Sequence, residues 1–263
     1  MDSRSVRPFA RRKFHGIEVA SLDCAGSAFA PHFHDEFVLS VNVCGSERIR
    51  LDRKALEAGE REITLYNPAQ VQSSHAVSRE WRFLSLYVDP SVLNESFDLP
   101  LETVFEHPVL KHEGAAARMA DAILYGLDPD VLANEAIERL IQTLDELLTL
   151  AGSQRAPNQR RIPDALFRVA ERLSDGGAPP SLQELSEDTG LTPVQLVRAF
   201  TRAYGLPPFT WASNQRVNEA RVRMLRGEAI AQIAADLGFA DQAHLTRRFR
   251  ATYGVPPGRW RNS

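Results

Sequence analysis

Gln242, Arg247 and Arg250 sit in a segment whose remaining residues are spaced to hold them outward. Arginine spans the O6 and N7 acceptors of guanine, and glutamine pairs with the N6 and N7 of adenine, so both side chains can tell one base pair from another. Between Asp241 and Tyr253, Leu245 and Phe249 fall at i and i+4 and mark an inward face. That spacing leaves Gln242, Ala243, Thr246, Arg247 and Arg250 facing out, with His244 towards the flank. The chemistry expected is the reading of base edges in a major groove.

The elements needed to position these groups are written nearby. Asp241 is a helix N-cap, Gly254 stands at C′, and Pro256 and Pro257 forbid continuation. Upstream, Ile230, Ile233, Ala234 and Leu237 recur at i, i+3, i+4 and i+7 and make one apolar stripe on a short helix that Gly238 ends. Two short helices joined by a tight, glycine-containing turn predict a helix-turn-helix unit over 229–253, its second helix the reading one.

Arg247, Arg248 and Arg250 alone would describe no more than a solvated helix face. A repeat argues otherwise. Displaced by 49 residues, Thr192 stands for Asp241, Leu196 for Leu245, Arg198 for Arg247 and Phe200 for Phe249. Tyr204, Gly205, Pro207, Pro208 and Trp211 likewise match Tyr253, Gly254, Pro256, Pro257 and Trp260. Leu182, Leu185 and Gly190 supply the partner helix, so a second unit is predicted over 181–204.

The two copies resemble the DNA-binding domain of the AraC/XylS family of bacterial transcription regulators. L-x-x-L-(x4)-G-L-T-(x3)-L-x-R-x-F-(x3)-Y-G carries the match in the first copy and I-x-x-I-A-(x3)-G-F-(x5)-L-x-R-x-F-(x3)-Y-G-V-P-P in the second. Residues 214–220 between them are similar to the family's linker helix. The resemblance places base contacts on Val194, Gln195, Val197 and Arg198 and on Gln242, Ala243, His244 and Arg247, with Arg202 and Arg250 towards phosphate. It implies double-stranded promoter DNA as a partner and activation through RNA polymerase. Reading helices entering successive grooves would stand about 34 Å apart, one turn of the duplex.

The 263-residue chain is long enough for two domains and carries a net charge of −3. Residues 160–263 hold 15 arginines against 10 acids, net +5, and the remainder is net −8, so a basic half suited to phosphates follows an acidic one. No run of about 18 apolar residues and no secretory leader pattern is present, which predicts a cytoplasmic protein without membrane contact. Cys24 and Cys44 are too few for a disulfide framework.

In chain order, residues 1–13 are polar and arginine-rich and are expected to form a disordered tail. Residues 14–110 open with short alternating runs, including Phe37 to Val43, Ile49 to Leu51, Ile63 to Tyr66 and Trp81 to Val88, which predict a small β-barrel or sandwich. This part is similar to the cupin-type sensor domain of the same family. Gly26, His32, His34 and Gly45 fit the cupin metal motif, but Val38 occupies the glutamate position, and Gln72 stands near the place of the closing histidine. No metal, cofactor or catalytic residue is therefore assigned. The expected occupant is a small-molecule effector, with His32, His34, Glu36, Tyr66 and Trp81 as candidate lining. A metal-binding or enzymatic cupin with a DNA-binding tail, and a regulator without ligand, are the alternatives.

Residues 111–151 read as helical, and Ile137, Ile141, Leu144 and Leu148 step by the 4 and 3 of a heptad seam, which suits a homodimer. A polar linker is expected over 152–161, and the DNA-binding domain over 162–263. The fold class expected is thus α+β multidomain: an N-terminal cupin-like barrel with following helices, then an all-α double helix-turn-helix domain.

Overall fold

Alternation of side chains along a strand puts every second residue on one face, so a strand such as Phe37–Cys44 must satisfy two neighbours at once. The structure, a computed structural model, describes residues 9–155, 162–175 and 180–262 except 25, 27, 53, 98, 101 and 102. Contacts divide the chain into two units, one of Met1–Ala28 with His34–Pro157, the other of Phe29–Phe33 with Asn158–Asn262.

Among the described residues nine strands lead: β1 (Phe9–Lys13), β2 (Ile17–Asp23), β3 (Ala28–His32), β4 (Phe37–Cys44), β5 (Glu47–Leu51), β6 (Lys54–Ala58), β7 (Ile63–Tyr66), β8 (Gln72–Ala76) and β9 (Arg82–Val88). Then come α1 (Pro90–Phe97), β10 (Thr103–Phe105), β11 (Val109–Leu110), α2 (Glu113–Leu127), α3 (Ala133–Ala151) and β12 (Ser153–Arg155). In the first unit one sheet runs β1-β2-β9-β4-β7-β11, and a second carries β8-β5-β6. The antiparallel register aligns Leu39 with Leu86 and Leu65, and Ser40 with Ser85 and Thr64. Ile17, Val19, Leu39, Val41, Ile63, Leu65, Leu84 and Leu86 share one face and bury against Met119 and Ile123 of α2 and Leu140, Leu144 and Leu147 of α3. The opposite face sets Val38 and Tyr66 against Ile49, Leu51 and Ala58 of the small sheet. The arrangement is a cupin-like sandwich of two separate sheets, which fits the expected barrel or sandwich.

Three expectations change. Residues 9–13 of the expected tail form β1, paired in register from Phe9–Leu22 to Lys13–Glu18. Its arginines serve the unit itself: Arg12 donates to the carbonyls of Asp128 at 2.7 Å and Val131 at 2.9 Å, and Arg11 pairs with buried Glu18 at 3.5 Å. Residues 153–155 of the expected linker pair with β10, while 156–161 lie outside the described residues. Finally, the apolar seam on α3 is largely consumed within the chain. Leu144 and Leu148 are buried in its own core, and only Ile137 and Ile141 keep partial exposure.

The second unit is helical: α4 (Asp164–Ser174), α5 (Leu182–Thr189), α6 (Pro193–Tyr204), α7 (Pro208–Leu225), α8 (Ile230–Asp236), α9 (Gln242–Tyr253) and α10 (Pro257–Arg261). Helix α7 is its axle, with α4, α6, α8, α9 and α10 all packed against it. Val217, Ala220 and Met224 are buried on α7, and Leu225 is half-buried.

Candidate nucleic-acid interface

Each candidate reading helix begins at a cap that its own sequence supplies. Thr192 Oγ1 accepts the Gln195 N–H at 3.3 Å, and Gln195 Oε1 accepts the Thr192 N–H at 3.0 Å, a reciprocal capping box. Pro193 occupies the first turn, where its missing N–H costs nothing. In α9, Asp241 Oδ1 accepts the His244 N–H at 2.5 Å, and His244 Nδ1 accepts the Ala240 N–H at 3.4 Å. Gly205 at φ 77° and Gly254 at φ 75° close the two helices in the left-handed conformation that glycine tolerates best.

Inside, the duplication is visible as chemistry. Phe200 lies 4.4 Å from Tyr204 and 5.8 Å from Trp211, ring centre to ring centre. Phe249 lies 4.6 Å from Tyr253 and 5.7 Å from Trp260. Leu196, Phe200, Leu245 and Phe249 have no measurable exposure. The closing tryptophans differ in their covers. Phe33 stacks on Trp211 at 6.4 Å, while the Arg221 guanidinium stands 5.6 Å over Trp260 and 5.5 Å over Tyr253. Arg223 adds a clamp at the second unit's start, donating to Glu228 at 2.7 Å and to Asp236 at 2.5 Å. That guanidinium holds the Asp236 carboxyl below its ordinary range.

Burying those faces turns the candidate readers outward. Val194 is 67% exposed, and Gln195, Arg198 and Arg202 are exposed beside it, with Val197 half-buried. Gln242, Ala243, Arg247 and Arg250 are exposed on α9, and His244 is half-buried with its ring 5.4 Å from Phe239. Arg198, Arg202, Arg247 and Arg250 carry no ion pair among the described residues, so four cations face solvent unneutralised. Two candidates are already engaged: Gln195 and His244 both spend an acceptor on capping their own helix.

The candidate effector residues fall in both units. His32 belongs to the helical unit, while His34, Glu36, Tyr66 and Trp81 belong to the β unit. His32 Nδ1 lies 2.7 Å from the Ala30 carbonyl, and burial pushes the ring's pKa down to about 4. His34 meets the Tyr87 ring edge-on at 5.6 Å, and Trp81 Nε1 donates to Asn42 Oδ1 at 2.9 Å. Among the described residues no three His, Cys, Asp or Glu side chains converge as a metal-binding set.

One group escaped the sequence reading. Glu47 is buried in the β unit, and burial raises its carboxyl to about 7 against hydrogen bonds from Ser74 and Asn42. Ser40 and Ser85 hydrogen-bond at 2.7 Å on the same side of the large sheet as Asn42. The signal was present, because Glu47 alternates in phase with inward Ile49 and Leu51. The same burial and the charges of Asp23 and Glu47 lift the Cys24 thiol to about 12, which leaves it inert.

A family model described as an AraC-like ligand binding domain matches residues 14–170, and one described as a helix-turn-helix domain matches residues 185–263. The chain is 26% identical to the HTH-type transcriptional regulator YbfI of Bacillus subtilis, over 82% of this chain and 81% of that one. It is 21% identical to the arabinose operon regulatory protein of Escherichia coli, over 86% and 80%. Among solved structures, ToxT of Vibrio cholerae with a bound unsaturated fatty acid superposes with a TM-score of 0.58, covering 95% of this chain and 96% of that one at 13% identity, a likeness of fold alone. Two capped, arginine-faced helices on one axle and a β unit that matches the ligand-binding model over more than half the chain lead to one assignment: the protein belongs to the AraC-type family of DNA-binding transcriptional regulators.

Proposed function

We propose that the chain is a one-component regulator in which α6 and α9 read two dissimilar short sequences of promoter DNA. The observation that carries this is Arg198 and Arg247, at the same register on two capped helices, exposed and without an ion pair among the described residues. Arg198 and Arg247 read guanines, Gln242 reads adenine, and Val194 and Ala243 offer apolar contact to thymine methyls. Arg202 and Arg250 hold phosphates and set affinity more than sequence. A selection of duplexes from a random pool by the full chain tests this: two short motifs about one turn apart are expected, and a pool enriched without any motif would refute it.

The β unit captures a small effector, for which Tyr66, Trp81, His34 and Glu36 remain candidate contacts and Glu47 with Asn42 adds a polar centre. YbfI and the arabinose operon protein support the regulatory role, and the fatty-acid complex of ToxT shows a relative of the fold holding a small molecule. The protein works in the cytoplasm as a homodimer and activates transcription through contact with RNA polymerase. Its dimer contact uses exposed Leu132 at the start of α3 with half-buried Ile137 and Ile141, in place of the buried Leu144 and Leu148. Sedimentation of the full chain tests that part, with Ile141→Glu expected to give monomers.

A further inference from the structure

Phe33 is 181 residues from Asn214 in sequence, yet its backbone is held by that side chain on both sides. The Phe33 N–H donates to Asn214 Oδ1 at 3.2 Å, and its carbonyl accepts from Asn214 Nδ2 at 2.9 Å and from Asn218 Nδ2 at 3.4 Å. A carboxamide offers a donor and an acceptor in one plane, as a neighbouring strand does, so Asn214 replaces a strand partner for this residue. Phe33 is 1% exposed, and Asn214 and Asn218 are buried with it. Left unmade in such a place, these polar groups would carry their full desolvation penalty.

Two α7 side chains that hold Phe33, Trp211 and Asn218, also reach one module each. Trp211, which stacks on Phe33, also lies 5.4 Å from Tyr204 and 5.8 Å from Phe200 of α6. Asn218, which holds the Phe33 carbonyl, accepts the Tyr253 hydroxyl of α9 at 3.0 Å. One residue from the early part of the sequence therefore completes the aromatic cluster of the first module and braces the polar anchor of the second.

We infer that α7 carries a binding slot for an extended backbone bearing an aromatic side chain, built by Trp211, Asn214 and Asn218, filled by the chain's own Phe33, and needed to fix both reading helices on α7. The functional half of this rests on α6 and α9 being the DNA-reading helices. The Phe29–Phe33 segment continues covalently into the β unit at Ala28 and His34.

Hydrogen exchange and DNA binding of the full-length protein test this with Phe33→Ala, Asn214→Ala and Phe33→Leu. Phe33→Ala and Asn214→Ala should speed exchange in α7 and the last turn of α9 by about tenfold or more and leave β4 and β9 unchanged. Their dissociation constants for a duplex selected by the unsubstituted protein should rise by about tenfold, while Phe33→Leu keeps most of both properties. Exchange and affinity unchanged in both alanine variants would overturn the inference. Should Phe33→Ala fail to fold, Asn214→Ala, which keeps the ring, decides alone. If the unsubstituted protein selects no duplex, the reading of α6 and α9 fails, and exchange still decides whether the slot exists.

Discussion

Set 49 residues apart, the two helix-turn-helix modules agree inside and disagree outside. Phe200, Tyr204 and Trp211 build the cluster that Phe249, Tyr253 and Trp260 build again. On the outer face, Val194 aligns with Ala243, Gln195 with His244, Val197 with Thr246, and only Arg198 meets its own kind in Arg247. The caps differ too, a reciprocal Thr192–Gln195 box against a single Asp241 carboxylate. Packing constrains the inner positions to volumes that fill one kind of gap, whereas an outer position answers only to the base beside it. A duplicated scaffold with diverged faces supports the proposal that the two modules read different half-sites.

The comparison can be broken at its inner positions first. Phe200→Ala and Phe249→Ala should each cost the helical unit about 3–5 kcal/mol in denaturant unfolding, because both rings are wholly buried. A cost for one less than half that of the other would show that the clusters are not equivalent. Arg198→Ala and Arg247→Ala should each lose about 1–3 kcal/mol of discrimination, read by fluorescence anisotropy on duplexes changed one base at a time. Their effects should fall on different base positions; a shared position would merge the two half-sites into one.

Smaller effects sharpen the outer face. Gln195→Ala and His244→Ala should cost about 0.5–1 kcal/mol of thermal stability through lost capping and should alter base preference less than either arginine change. Base preference relaxing as strongly as in Arg198→Ala would restore them as readers. Arg202→Ala and Arg250→Ala should weaken all duplexes alike and lower the slope of log affinity against log salt by about 1 each.

Much of the helical unit was legible because local rules act there undisturbed. Asp241, Thr192, Gly205 and Gly254 stand at the helix boundaries that capping chemistry demands, and Leu245 and Phe249 point inward as their spacing requires. What stayed hidden was long-range. Nothing near Phe33 in the sequence announces Asn214 as its partner, whereas the Thr192-x-x-Gln195 spacing does announce a capping box, a use that competes with reading for the same exposed amide. The β unit was less legible at its edges. Phe9–Lys13 looks like a charged tail until its arginines find Glu18 and the carbonyls of Asp128 and Val131. On α3, the apolar positions could serve a partner chain or the sheet equally well, and Leu144 and Leu148 serve the sheet.

The most direct test of the account is the base-preference profile of the full-length protein beside those of Arg198→Ala and Arg247→Ala, all measured on one randomised duplex pool. Two unlike motifs about one helical turn apart are predicted, with each variant erasing information in one motif and sparing the other. Uniform loss of affinity across all sequences in both variants, with the profile unchanged, would contradict it.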